Sequence, residues 1–241
     1  MISKMNFKWL EKLFGIHLRA YRTSFPKGFD INLEIIRLAE YYDIPIETIF
    51  DVGANIGTTA CELNDLFPKA IIYAFEPVPE TFIKLKKRAL LRTSIKCFES
   101  ALGNETGNKM IDIGIRSDLV SFVEPTHSGN EIKIKIDTLD QITQVKNIKK
   151  IDFLKIDTEG FDLEVLKGAQ KFITEQKIEF IQVETKLGGP AKRFVPLQKF
   201  NEFLNPLGYD LMGCFEQEGW HLFSPLYYCN ALFMKRRNWD E

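Results

Sequence analysis

The sequence lacks the cysteine patterns of disulfide-stabilised proteins and of zinc sites. Its 241 residues include four cysteines, and no two of them form a CxxC pair. The cysteines are Cys61, Cys97, Cys214 and Cys229. Cysteines this widely spaced are expected to be reduced residues of a cytoplasmic protein.

Two further absences bear on the partners of the chain. No apolar run reaches the roughly 18 residues that a membrane-spanning helix requires. The formal net charge is -1 at pH 7, which gives no electrostatic reason to expect a nucleic acid partner. We therefore expect a small-molecule or glycan substrate and a cytoplasmic location.

Residues 1–45 are interpreted as an N-terminal helical arm. Met5, Trp9 and Leu13 recur in it at helical spacing, and five Lys or Arg residues lie between Lys4 and Arg22. We expect this basic amphipathic segment to dock on the catalytic domain or on a second subunit of a homo-oligomer. The alternative is peripheral contact with the anionic inner face of a membrane.

Residues 48–57, around which the chain is organised, lack the glycine motif of dinucleotide-binding proteins. Residues 48–52 (TIFDV) are apolar and β-branched, as in a buried strand, and the turn after them opens a helix. A dinucleotide fingerprint needs G-x-G-x-x-G to seat a pyrophosphate. Counting from Gly53, Asn55 and Thr58 replace the second and third glycines. The stretch therefore predicts a nucleotide site without phosphates.

Carboxylates at two predicted strand ends indicate a cationic ligand. Asp51 lies at the end of the first strand, and Glu76 follows the second, where an acid can accept hydrogen bonds from both ribose hydroxyls. S-adenosylmethionine combines a sulfonium, an ammonium and a nucleoside without phosphates, so it is the predicted cofactor. The alternative is a structural glycine turn and a solvated glutamate.

Each part of this cofactor has predicted contacts. Asp51 and the loop from Gly53 to Gly57 would hold the methionine portion, Glu76 the ribose, and Ser100 with Ala101 the adenine. The full set of predicted cofactor-binding residues is Asp51, Gly53, Ala54, Asn55, Gly57, Glu76, Pro77, Ser100, Ala101 and Asp157.

The order of the periodic segments predicts one α/β domain over residues 46–241. Strands and helices alternate over residues 48–99, which implies a parallel sheet with right-handed crossovers. Short alternating runs predict a small β insertion around residues 104–150, with a helix start near residue 138. The later predicted elements are strands at 151–156, 178–183, 209–212 and 226–234, and helices at 161–173 and 195–204. The last strand is expected to form a hairpin with the one before it.

Four segments together resemble the FkbM family of S-adenosylmethionine-dependent methyltransferases. They are residues 51–57 (DVGANIG), 75–77 (FEP), 155–160 (KIDTEG) and 164–169 (EVLKGA). The resemblance implies the class I methyltransferase (Rossmann-like) fold, with a seven-stranded, mostly parallel sheet, an antiparallel last strand and helices on both faces. It also implies O-methylation, typically of a sugar or polyketide hydroxyl.

One more absence agrees with O-methylation. Methyltransferases that act on amino groups of bases or of glutamine carry Asn/Asp-Pro-Pro-Tyr/Phe after the fourth strand, but this chain has DTEG at residues 157–160. Carboxylates suit a hydroxyl, which loses its proton as the methyl group arrives. We predict that Asp157 or Glu159 accepts this proton. The alternative for Asp157 is capping of the following helix.

Two residues complete the catalytic candidates. His127, in a loop of the β insertion, would serve as a base or contact the substrate, although a loop histidine is more often merely exposed. Lys155 shares a strand face with Asp157, so we expect it to be the salt partner of a strand-tip carboxylate. No metal is predicted. The alternative is Mg²⁺ held by Asp157, Glu159 and Glu184.

The sequence therefore predicts an O-methyltransferase that acts on a carbohydrate hydroxyl in a surface glycan, a glycolipid or a natural product. Two alternatives stay open. A nicotinamide-dependent oxidoreductase is disfavoured by the missing glycines. A non-catalytic partner subunit with the methyltransferase fold is disfavoured because a scaffold gains nothing from mutually repulsive carboxylates in a cleft.

Overall fold

The computed structural model describes residues 30–112, 131–188, 194–219 and 226–238. Helices and strands alternate along most of these ranges. The strands are β1 (Thr48–Val52), β2 (Ile71–Phe75), β3 (Ile95–Phe98), β4 (Ala101–Leu102), β5 (Gly107–Asp112), β6 (Glu131–Asp137), β7 (Ile151–Ile156), β8 (Ile178–Lys186), β9 (Tyr209–Gly219) and β10 (Leu226–Lys235). The α-helices are α1 (Ile31–Tyr41), α2 (Thr58–Leu66), α3 (Pro79–Ala89), α4 (Leu139–Val145), α5 (Asp162–Lys167), α6 (Gln170–Thr174) and α7 (Leu197–Leu204).

The main sheet has seven strands in the order β3-β2-β1-β7-β8-β10-β9. The first five strands in this order, β3, β2, β1, β7 and β8, pair in parallel. Strand β10 is antiparallel to both of its neighbours. Every residue of β7 is buried, as expected for a central strand with both faces covered. The predicted class I sheet with its antiparallel last strand is therefore confirmed.

Helices cover both faces of this sheet. Helices α1 to α3 pack on one face around residues such as Ile35, and α4 to α7 pack on the other around Leu166 and Phe200. Ile49 and Phe50, neighbours in β1, belong to the two opposite cores. A shift of one residue would exchange the two faces of the strand, so this alternation fixes the register. None of the helices in the described ranges has the length and apolarity to cross a membrane.

A second sheet of three strands, in the order β4-β6-β5, follows β3. Strand β4 is parallel to β6, and β5 is antiparallel to it. Ile111, Ile134 and Ile136 from this sheet pack against Val78 and Ala101. The small sheet is thereby fixed beside the end of β2. His127 and the rest of the predicted β insertion between residues 113 and 130 lie outside the described residues.

The predicted helix at 161–173 is wrong, because the structure divides it into α5 and α6. The carboxylate of Asp140 accepts hydrogen bonds from the N–H groups of Lys171 and Phe172, at 2.9 and 3.1 Å. A carboxylate in this position caps a new helix start. The cap lies 31 residues from Lys171 in sequence, so the periodicity of the segment does not show it, whereas Gly168 at the end of α5 is a local signal of the break.

Two strands are longer than predicted because both of them pair with β10. Strand β8 continues to Lys186 instead of ending at 183, and β9 reaches Gly219 instead of 212. Strand β10 pairs with both along this length, as Tyr228 opposite Lys186 illustrates. The predicted hairpin between the last two strands is confirmed. Glu184 therefore lies inside β8 and not at a strand end.

Candidate active site

An open cleft lies at the carboxyl ends of β1, β2 and β7. Seven predicted site residues line it, namely Gly53, Asn55, Glu76, Pro77, Ala101, Asp157 and Glu159. Seven others were not singled out from the sequence, namely Val52, Phe75, Val78, Thr81, Leu102, Thr158 and Phe161. Most of these are apolar or aromatic like the core, so no sequence signal separated them from it.

Five predicted residues lie behind the cleft wall instead of on its surface. They are Asp51, Ala54, Gly57, Ser100 and Lys155, and all five are buried. Asp51 and Lys155 sit opposite each other in the pairing of β1 with β7.

The backbone amides of the glycine loop after β1 are already hydrogen-bonded within the protein. Gly53 and Ala54 donate to the carbonyl oxygen of Phe75, at 3.1 and 2.9 Å, and Asn55 donates to the Glu76 carboxylate at 3.1 Å. The next two amides bond within the loop, to the Asn55 side chain and the Ala54 carbonyl. All five amides from residue 53 to 57 are thus occupied. The loop does not present the ring of donors that binds a pyrophosphate.

The two loop glycines are required by contacts inside the protein. Gly53 has φ +80°, and a Cβ atom there would lie 1.9 Å from the Asp157 carbonyl oxygen. Gly57 has φ +83°, and its Cβ would lie 2.6 Å from Leu85 Cδ1. Gly53 lines the cleft, whereas Gly57 lies against the Leu85 side chain. Gly53 lets the ends of β1 and β7 meet.

Glu76 joins two segments of the cleft wall. Its Oε2 accepts the Asn55 N–H bond, and its Oε1 accepts a hydrogen bond from the Val78 N–H at 2.9 Å. Burial raises the pKa of Glu76 to about 7, although both hydrogen bonds oppose this shift. Each carboxylate oxygen can accept a further hydrogen bond, so Glu76 remains able to bind ribose hydroxyls.

Lys155 lies between two carboxylates. Its Nζ is 3.1 Å from Asp51 Oδ1 and 3.2 Å from Asp157 Oδ2, so the predicted ion pair is present. Burial lowers the pKa of Lys155, but the two carboxylates outweigh it and the net shift is upward. Burial raises the pKa of Asp51, against the opposing effect of Lys155. Apart from this pair, the Asp51 carboxylate has no hydrogen-bond donor among the described residues.

The segment after β7 carries further acids. Asp157 is about half exposed, and the backbone of Glu159 adopts the left-handed region with φ 52°. Helix α5 starts at Asp162 without a side-chain cap in the described structure, so the capping role considered for Asp157 is wrong. Asp157 instead pairs with Lys155 and faces the cleft.

Asp162 is a site residue that the sequence reasoning missed. It is buried, and its Oδ2 accepts a hydrogen bond of 2.8 Å from the hydroxyl of Thr158, which lines the cleft. Burial raises its pKa to about 6, and the negative charge of Asp157 adds to this shift. The available sequence signal was an acid on the inward face of a helix two residues after the DTEG segment.

The predicted alternative of a metal site finds no counterpart in the described residues. No three histidine, cysteine, aspartate or glutamate side chains converge there as metal ligands. Asp157 and Glu159 line the cleft, whereas Glu184 lies opposite Asn230 in the pairing of β8 with β10.

Comparison with known proteins gives a family and several relatives. The model of the family described as the methyltransferase FkbM domain matches residues 51–211. Hexuronic acid methyltransferase AglP of Haloferax volcanii is 29% identical over 181 residues, covering 70% of this chain and 72% of AglP. The 2-O-methyltransferase NoeI of Sinorhizobium fredii is 24% identical over 170 residues, covering 64% of this chain and 68% of NoeI.

A solved structure with a similar chain path is fibrillarin of Aeropyrum pernix, crystallised with natively bound S-adenosyl-L-methionine. It is 14% identical to this chain, with a TM-score of 0.47, and the match covers 83% of this chain and 73% of fibrillarin.

Proposed function

The chain belongs to the FkbM methyltransferase family, and we propose that it transfers a methyl group from S-adenosylmethionine to a hydroxyl of a carbohydrate. The observation that carries the proposal is the family match over residues 51–211. The chemistry of the cleft agrees with it, because Glu76, Asp157 and Glu159 give the cleft an acidic lining.

The lining suits the positive charges and the apolar base of the cofactor. Carboxylates attract a sulfonium and an ammonium group, and the fully occupied amides of the glycine loop disfavour a phosphate-bearing dinucleotide. Glu76 is the acceptor proposed for the ribose hydroxyls. The apolar wall around Phe75 and Ala101 offers a slot for the base. When bound, the cofactor supplies an electrophilic methyl group.

The proton of the acceptor hydroxyl needs a base. Asp157 and Glu159 line the cleft on the side of β7, opposite Glu76. A base positioned at the reacting hydroxyl contributes about 10²–10⁴-fold to the rate. We assign this role to Asp157 or Glu159, and we assign to Lys155 the task of holding Asp157 in place. His127 stays a prediction, since it lies outside the described residues.

A carbohydrate acceptor is supported by the relatives. AglP is named for hexuronic acid, a sugar acid, and NoeI is named as a 2-O-methyltransferase. The oxidoreductase alternative is weakened by the same loop amides that leave no cradle for a pyrophosphate. The partner-subunit alternative gives no reason for the acidic lining of an open cleft.

The proposal is tested by comparing glycans of cells that have the protein with those of cells that lack it. Mass spectrometry should show the loss of one methyl group per modified sugar, equivalent to one CH₂. The wild-type gene should restore the methyl group. A gene whose catalytic base is replaced, by Glu159→Gln or by Asp157→Asn, should not restore it. Unchanged methylation of every sugar on deletion would contradict the proposal.

A further inference from the structure

Helix α3 and the turn after it carry an exposed apolar surface that the proposed function does not use. The inner face of the helix is buried and consists of Thr81, Phe82, Leu85 and Ala89. On the outer side, Ile83, Leu90 and Leu91 expose 63%, 76% and 90% of their surface. Residues four and seven positions apart share a helix face, so Ile83 and Leu90 lie in one row. A single exposed leucine is ordinary, whereas a group of exposed apolar side chains indicates an interaction site.

The same surface is strongly basic. Residues 83–96 contain six Lys or Arg residues and no acid, although the whole chain has a net charge of -1. The acid of α3 is Glu80, in its first turn. We call the three apolar residues and the six cations the α3 patch, and the cations are Lys84, Lys86, Lys87, Arg88, Arg92 and Lys96. This concentration of positive charge attracts an anionic surface.

Two lysines of the α3 patch are available to a partner. Arg92 pairs with Asp65 at 3.4 Å, so its charge is already balanced. Lys84 and Lys87 are exposed, and neither forms an ion pair with another described residue. Their ammonium groups are thus left for an anionic partner.

A structural role explains only part of the α3 patch. Cations in the last turn of a helix stabilise the helix dipole, and Lys86, Lys87 and Arg88 lie in that turn. Lys84 lies before it. The helix dipole also gives no reason for three exposed apolar side chains among the cations.

We propose that the α3 patch docks on the surface of a membrane that contains anionic lipids. The negative potential of such a surface attracts the cations, and the boundary between headgroups and acyl chains receives the exposed leucines. A nucleic acid or an acidic glycan would pair with the cations but has no apolar layer for the leucines. The inference goes beyond the proposed function and concerns residues other than the N-terminal arm.

The position of the α3 patch relates it to the cleft. Helix α3 begins at Pro79, directly after Val78, which lines the cleft. An α3 docked on a membrane would therefore hold the cleft close to the lipid surface. This arrangement suits an acceptor sugar that is carried by a lipid.

The test is co-sedimentation of the full chain with vesicles of phosphatidylcholine, either alone or mixed with an equal part of phosphatidylglycerol. The wild type should bind the mixed vesicles at least about tenfold more tightly, and added salt should weaken this binding. Binding to neither kind of vesicle, or equal binding to both, would overturn the inference and leave the proposed function untouched.

A first double variant, Lys84→Gln with Lys87→Gln, removes two cations of the α3 patch. Each cation near an anionic membrane contributes about fivefold to binding, so this variant should bind the mixed vesicles at least about tenfold more weakly. The control is Lys133→Gln with Lys149→Gln, which removes the same charge at exposed positions outside α3 and should bind like the wild type. Equal binding by the two double variants would overturn the inference, because another basic segment would then be responsible.

A second double variant, Leu90→Ser with Leu91→Ser, tests the apolar contact. It should bind the mixed vesicles about tenfold more weakly or worse, while binding keeps its salt dependence. The control is Met110→Ser with Val145→Ser, whose native side chains are 53% and 69% exposed on other elements, and it should bind normally. If L90S/L91S also bound normally, the cations alone would make the contact, as for a soluble polyanion, and docking on a membrane would be wrong.

Thermal melting separates docking from folding. The four double variants change exposed side chains and should melt within about 2 °C of the wild type. If K84Q/K87Q melted lower, Lys84→Gln alone would keep the test, because Lys84 lies outside the last turn of α3. K84Q should weaken binding to the mixed vesicles about fivefold, and unchanged binding would overturn the inference.

Discussion

Burial of the Asp162 side chain raises its affinity for a proton. It is a buried acid whose pKa is raised to about 6, mainly by desolvation. The folded protein therefore holds this proton more tightly than the unfolded chain, in which the pKa of Asp is about 4. Its contribution favours the folded state fully below the unfolded pKa and is lost as the pH rises through about 6. Glu76, with a pKa raised to about 7, has the same sign.

We predict that Asp162→Asn flattens the pH dependence of stability. The asparagine keeps an oxygen that can accept the Thr158 hydroxyl, but it cannot titrate. Between about pH 4 and pH 7, the free energy of unfolding of the wild type should fall relative to that of D162N by about 2 kcal/mol. Urea denaturation at several pH values measures this difference. A constant difference across the range would refute the assignment of Asp162 as a raised-pKa group.

The ion pair at Lys155 gives a second prediction at the residue scale. Lys155→Met leaves the fully buried Asp51 without its cation, and breaking a buried pair in this way costs about 3–5 kcal/mol. Lys199→Met is the matched control, because Lys199 pairs with Glu202 at 3.0 Å and both side chains are at least half exposed. The free energy of unfolding of this control variant should fall by less than about 1 kcal/mol. Chemical denaturation that gave similar losses for the two variants would contradict this account.

Asp51→Asn in the Lys155→Met background separates charge from packing. It removes the unpaired buried charge, so the double variant should recover part of the stability that Lys155→Met loses. No recovery would mean that Lys155 stabilises the fold through the packing of its aliphatic chain.

At the scale of the elements, the loop between β1 and α2 depends on the close approach of β7. Gly53→Ala places a Cβ 1.9 Å from the Asp157 carbonyl oxygen in a backbone with φ +80°. We predict a loss of about 2 kcal/mol or more, together with weaker binding of S-adenosylhomocysteine, because the loop must move. Denaturation and calorimetry measure the two effects.

Gly107→Ala is the control for this loop. Gly107 lies in β5, and a Cβ there meets no atom within 4 Å. The variant should therefore differ from the wild type by less than about 0.5 kcal/mol and bind the ligand normally. If G53A were as well tolerated as G107A, the proposed dependence of the loop on β7 would be wrong.

The elements also show where sequence reasoning succeeds and where it stops. Helix α2 begins directly after the glycine turn, as predicted, because that turn and the apolar spacing behind it are local signals. The break between α5 and α6 and the length of β8 depend on Asp140 and on β10, which are distant in sequence. Interactions of this kind appear only when the chain is folded.

The same distinction applies inside the site. The position of Lys155 on the face of Asp157 followed from strand parity, and the ion pair is present. The raised pKa of Asp162 comes mainly from desolvation in the folded protein. No pattern in a single sequence records that property.

For the whole molecule, the strand order determines where chemistry takes place. The neighbours β2, β1 and β7 bring the Glu76, Gly53 and Asp157 segments to one edge of the sheet. In an open α/β sheet, ligands bind beyond the carboxyl ends of the strands, and the acidic cleft lies there. The helices on both faces leave this edge accessible.

The most direct test of the account is methyl transfer by the purified protein. S-adenosylmethionine with a trideuteromethyl group would be supplied with sugar nucleotides and glycans from cells that lack the protein. The product would be examined by mass spectrometry before and after mild alkali, which cleaves methyl esters and leaves methyl ethers intact. The account predicts a labelled sugar whose label survives alkali. Label that alkali releases, label on an amine, or the absence of labelled sugar would contradict it.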